Sequence, residues 1–118
     1  MNRDDVLDLC AGLPGSVEDY PFGEGVAVFK VGGRMFALVP LDESPGSINL
    51  KCDPSLALEL RARHAAVRPG YHQNKRHWNT VGLDDSIGAE EIREMIHHSY
   101  TLVVDRLPRA ERQQLRGT

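Results

Sequence analysis

The chain reads as an α+β fold, a two-layer sandwich in which an antiparallel sheet carries its helices on one face. Three observations predict it. Two apolar runs, 26–31 and 34–39, flank Gly32-Gly33, a pair able to take the positive φ angles of a tight hairpin turn. Residues 47–52 alternate, with Ile48, Leu50 and Cys52 on one side and Asn49 and Lys51 on the other. Between and around these strands lie segments of helical spacing, giving the order helix, hairpin, strand, helix, strand or strands, helix.

Each element has its own local signal. Residues 2–13 predict a helix capped by Asn2, with Asp4 and Asp5 in the first turn where the helix dipole favours anions, and with Val6, Leu9, Cys10 and Leu13 as its apolar stripe. Pro14-Gly15 ends it. The acidic connection 16–25 contains Tyr20-Pro21-Phe22-Gly23, a turn whose aromatics are expected to fold back on the core. Both faces of the hairpin are apolar, so alternation does not assign its buried side. Asp53 and Pro54 open a second helix as N-cap and first helical residue, running to about His64.

Pro69-Gly70 predicts a turn, and 77–83 a last strand. With Val81 and Leu83 facing the core, the period of two sends Trp78 and Thr80 to the opposite face, together with Asn49 and Lys51. The final helix spans about 89–107, capped at Gly88, with Ile87 and Ile92 spaced as a hydrophobic staple. Residues 109–118 are expected as a charged, frayed tail after a single domain over 1–108.

The 118 residues are 41% hydrophobic and 26% charged, ordinary for a globular domain. No apolar run approaches the roughly 20 residues a bilayer-spanning helix needs, so a cytoplasmic protein without a membrane partner is expected. Cys10 and Cys52 sit in apolar patterns without CxxC spacing, which fits small buried hydrophobes rather than a disulfide framework or zinc ligands. The net charge of −3 hides an asymmetry. Residues 1–24 hold one cation against six anions, 25–83 eight against four, and 84–118 five against seven. The middle of the chain is basic and its flanks are acidic.

The stretch from Gly70 to Thr80 concentrates chemistry. It holds Lys75, Arg76, His72, His77, Tyr71 and the only Trp of the chain, Trp78, with Gln73, Asn74 and Asn79 between them and almost nothing aliphatic. Such groups are costly to bury unpaired. Cations interleaved with aromatics suit an anionic, phosphate-bearing partner, the cations neutralising charge and the rings stacking. His72 and His77 are awkwardly spaced for two metal ligands on one strand, and the adjacent His97 and His98 diverge on a helix. No metal or cofactor is expected. The sequence contains no P-loop, HExxH, nucleophile elbow or dinucleotide fingerprint, which speaks against an enzyme.

Several runs match a known family. Leu13-Pro14-Gly15, Tyr20-Pro21-Phe22-Gly23, Val28 to Leu38, Asn49-Leu50-Lys51-Cys52-Asp53-Pro54, Pro69 to Val81 and His98-Ser99-Tyr100 together resemble the MmcQ/YjbR family, in the family's order over about residues 6–108. The resemblance implies a fold like that of the frataxin/CyaY group and a DNA-binding role in which two loops of the sheet act as wings. Here the wings would be the hairpin tip with Lys30 and Arg34, and the loop from Tyr71 to His77. The expected function is therefore a non-enzymatic, DNA-binding module. Its contacts would be Lys30, Arg34, Asn49, Lys51, Tyr71, His72, Asn74, Lys75, Arg76, His77 and Trp78. The alternatives are a protein-interaction module using the same Trp and Tyr surface, and a frataxin-like metal role for Asp4, Asp5 and Asp8 on the first helix.

Overall fold

The computed structural model describes residues 1–70 and 73–116. In chain order the elements are α1 (Arg3–Ala11), β1 (Val17–Asp19), β2 (Val26–Val31), β3 (Arg34–Pro40), β4 (Ser47–Lys51), α2 (Pro54–Arg63), β5 (Val67–Pro69), β6 (Trp78–Gly82), α3 (Ala89–Val104) and α4 (Arg109–Arg116). The six strands form one sheet in the order β1-β2-β3-β4-β6-β5, every neighbouring pair antiparallel. This is the expected α+β sandwich.

The helix starts follow from their caps. Asn2 accepts from the Asp5 amide while the Asp5 carboxylate accepts from the Asn2 amide, a reciprocal box that satisfies two otherwise free N–H groups. Asp53 caps α2 through Ser55 and Leu56, with Pro54 at the first helical position. Gly32 and Gly33 take φ of 59° and 78°, which only glycine adopts without strain, and so close the β2–β3 hairpin.

One core fills the space between sheet and helices. Val6 and Cys10 of α1, Ala57 and Leu60 of α2, and Ile92, Met95, Ile96 and Val103 of α3 pack on Phe29, Val39, Ile48, Leu50, Val67 and Val81. The β2–β3 register shifts after Phe29–Ala37 to Lys30–Met35, so Phe36 is an extra residue bulged out of the pairing. It is fully buried and meets Tyr100 of α3 edge-on, ring centroids 5.4 Å apart. A second, smaller cluster lies on the other side of the sheet: Val28, Leu38 and Trp78, flanked by Val26 and Met35. The hairpin is apolar on both faces because it feeds both clusters.

Four features differ from expectation. Tyr20 and Phe22 do not fold back on the core but stay exposed, 42% and 61%. β1, a short exposed edge strand, occupies part of what read as a connection. β5 runs through Pro69, tolerated because an edge strand has a free side. Arg109–Arg116 is a helix rather than a frayed tail. It is tied to the end of α3 by Arg112 and Arg116, which donate to the carbonyl and carboxylate of Asp105, and Leu115 packs against the core. Pro108, which reads as an interruption, stands where proline suits a helix start.

Candidate functional site

Strand direction brings the basic residues to one end of the sheet. β2 runs toward the Gly32-Gly33 tip and β3 away from it. β4, antiparallel to β3, ends at Lys51 on the same edge, and β6, antiparallel to β4, begins there at Trp78. The hairpin tip, Lys51 and the loop entering β6 therefore share one end. Leu50 and Val81 face the helices, so the cross-strand pair Lys51–Trp78 projects from the helix-free face, as do Lys30 and Met35.

The predicted contacts differ in how they are held. Lys30 is partly neutralised: its ammonium lies 3.0 Å from the Asp19 carboxylate across the β1–β2 pair, and holds that carboxyl below its usual range. Arg34 is exposed at the tip. Lys51 is half-buried, its amide donating to Ser99 Oγ, and its ammonium is pushed below the usual lysine value by burial first and then by repulsion from Arg106 and Arg34. Lys75 and Arg76 are exposed. Among the described residues, no carboxylate pairs with Arg34, Lys51, Lys75, Arg76 or Arg106.

The loop that presents Lys75 and Arg76 is braced. Asn74 Oδ1 accepts from the amides of Arg76 and His77, a local turn that asparagine builds readily. Arg61 of α2 donates to the carbonyls of Lys75 and Trp78 and to Asn79 Oδ1. The half-buried His77 accepts through its carbonyl from Cys52. Gly70 is needed where β5 ends, because a methyl there would come 2.7 Å from Trp78 Cβ.

Trp78 lies on the helix-free face, as the alternation predicts, but is only 8% exposed, packed on Val28 and Leu38. Covered in this way, its ring has no free face on which to stack a base. Asn49 is likewise buried, its Oδ1 accepting from Thr80 at 2.6 Å. Tyr71 and His72 lie outside the described residues. Arg106 and Arg61 were not legible as site residues, because Arg106 follows a helix and Arg61 reads as an ordinary solvated cation.

The opposite end of the sheet is acidic, with Glu24 before β2, Asp42 and Glu43 after β3, and Asp84 and Asp85 after β6. Toward that end the helix-free face holds a groove of about 490 Å³ among Phe22, Val26, Leu38, Pro40 and Gln73. On the helix side, a cleft of about 310 Å³ opens between α2 and α3 above β4 and β6. Both cysteines are buried free thiols, with Cys10 pushed up to about 12 and Cys52 to about 11, chiefly by burial. Among the described residues, no three His, Cys, Asp or Glu side chains come together to hold a metal ion. Asp5 is engaged in the α1 cap. No described helix is long and apolar enough to cross a membrane.

Comparison with known proteins places this geometry. The chain is 35% identical over 115 residues to the Escherichia coli K12 protein YjbR, covering 98% of each chain. It is 37% identical over 97 residues to YbdF of Escherichia coli O157:H7, covering 82% of this chain and 80% of that one. A crystal structure of the Deinococcus radiodurans protein DR2400, a DUF419 domain, superposes with a TM-score of 0.91 at 42% identity, over 97% of this chain and 87% of that one. A Pseudomonas syringae crystal structure follows at 0.75 and 31%, over 87% and 99%. The YjbR family model matches residues 11–102, and with these relatives the chain belongs to the YjbR family.

Proposed function

We propose that the basic end of the sheet is a non-enzymatic binding surface for the phosphate backbone of DNA. Support comes first from convergence: register joins the hairpin tip, the end of β4 and the loop entering β6, so that Arg34, Lys51, Lys75 and Arg76 present their charges at one end without paired carboxylates. The Lys51 ammonium is lowered first by burial and then by repulsion from Arg106 and Arg34, and that repulsion is the part a phosphate would relieve. Phosphate contacts of this kind position a protein on a duplex without specifying sequence. With Trp78 covered, the indole acts as packing beneath the surface rather than as a stacking ring.

Titration of labelled duplex DNA at low and moderate salt tests the reading. Salt-sensitive binding in the micromolar range is expected, with a loss of roughly tenfold or more in a Lys75→Ala/Arg76→Ala double variant. Unchanged binding in that variant would count against it.

The groove beside exposed Phe22 favours a second reading, a protein segment laid along the helix-free face. In that case Phe22→Ala removes the partner, binding depends weakly on salt, and the double variant has no effect.

A further inference from the structure

The cleft between α2 and α3 lies on the other side of the sheet from the basic surface. Its floor is Leu50, Val81 and Asn79, and its walls are Leu56 and Leu60 of α2 and Met95 of α3. At about 310 Å³ it falls within the size of small-ligand sites, which join an apolar lining to a few placed polar groups. Asn79 supplies such a group.

Asn79 is 2% exposed, on the helix-facing side of β6 opposite Leu50. Its Oδ1 accepts from Arg61 Nε at 2.7 Å, which fixes the amide the right way round, since arginine can only donate. Nδ2 is thereby left as a buried donor, and among the described residues it has no acceptor. Buried donors are costly to leave unmade, and such exceptions call for a cause. Arg63 is paired with Glu91, the Lys51 side chain leaves for the other face of the sheet, and Glu94 adds a negative charge to the lining, which disfavours an anionic ligand. The His98 ring accepts through Nε2 from the Asp53 amide at 3.2 Å and is thus already engaged. An apolar space with one unmet donor and, among the described residues, no unpaired cation facing it suits a neutral acceptor.

We infer that this cleft binds a small, mainly apolar molecule through a neutral carbonyl oxygen, which accepts from Asn79 Nδ2. The site is independent of phosphate binding at the basic end. Acetanilide, an aryl amide, and N-ethylaniline, its analogue without the carbonyl, form the probe pair for ¹H–¹⁵N NMR titration of the full chain.

Acetanilide is expected to give saturable shifts at Leu50, Val81 and Met95 and at the Asn79 side-chain amide, in the millimolar range usual for so small a ligand. N-ethylaniline is expected to bind about fivefold or more weakly, because it leaves the donor unmet. Asn79→Asp keeps an acceptor for Arg61 but removes the donor, and should erase that preference. Met95→Trp, which fills the cleft, should remove binding of both probes. The inference is overturned if acetanilide gives no saturable shifts, as when the donor serves only a water molecule. Shifts centred away from the cleft, equal affinity for the two probes, or a preference that survives in Asn79→Asp would also overturn it.

Discussion

Ser99 shows how much one small side chain can hold. It sits fully buried on the apolar stripe of α3, donates to the Phe36 carbonyl at 2.6 Å and accepts from the Lys51 amide at 2.9 Å. The β2–β3 bulge leaves Phe36 outside the pairing, so its carbonyl needs a donor from elsewhere, and Ser99 supplies one. Ser99→Ala would strand two buried backbone groups and is expected to destabilise the fold by about 1–3 kcal/mol. Urea unfolding measures this, and a change within about 0.5 kcal/mol would show that water replaces the hydroxyl. The sequence shows Ser99 on the inward stripe. Its bridge was not legible, because the partners lie 48 and 63 residues away. Asn79 is a similar case: strand parity sets its side of the sheet, whereas its half-met amide depends on Arg61 from another element.

At the scale of elements, α2 and α3 flank the cleft and meet at one of its edges. Arg63 and His64, at the end of α2, both approach Glu91 in the first turn of α3, with His64 Nε2 2.9 Å from Glu91 Oε2. The hydrogen bond with His64 is the largest influence on the Glu91 carboxyl and, helped by the bond and charge of Arg63, holds it below its usual value of 4.5 against the opposing effect of burial. A carboxyl depressed in the folded state adds stability above its unfolded pKa and loses it as pH falls through the folded one. Glu91→Gln is therefore expected to cost about 0.5–1 kcal/mol at neutral pH, a modest figure for a partly exposed pair. The difference should shrink as pH drops below 4.5. Thermal unfolding of both proteins across pH 3–7 follows it, and a constant difference would show that the contact is steric rather than ionic. The helices themselves were legible through Asn2, Asp53 and Gly88. The short edge strands were not, since three residues carry too little period to register. Helix α4 escaped as well, because its one inward anchor, Leu115, gives no repeat.

For the whole molecule, polarity outweighs net charge. The acidic residues at the ends of β3 and β6 are separated from the basic end by the length of a strand, and the seven residues of β3 span about 23 Å. That exceeds the Debye length of about 10 Å at 0.1 M salt, so the net −3 does little to repel a polyanion approaching the basic end. Asp53 and Asp105 lie nearer, but one caps α2 and the other is held by Arg116. With Arg34, Lys51, Lys75, Arg76 and Arg106 on phosphates, the logarithm of DNA affinity should fall with the logarithm of salt at a slope of about −4 to −5. Arg106→Ala should lower that slope by about 1, and Lys30→Ala should leave it unchanged, because Asp19 already neutralises Lys30. The reverse pattern, measured by titration across salt, would move the surface to the β1–β2 edge.

The amino-acid order alone determined the helices through their caps, the hairpin through its glycine pair, the face of the sheet that carries Trp78, and the basic middle of the chain. These are local properties, written in spacing and in which backbone angles a residue tolerates. Tertiary structure alone decided that β6 enters between β4 and β5, that Arg106 reaches the neighbourhood of Lys51, that the indole is covered, and that Asn79 keeps a donor without an acceptor among the described residues beside a cleft. Each of these depends on which distant surfaces are buried together, and a period along the chain says which side a residue faces without saying what it will meet there.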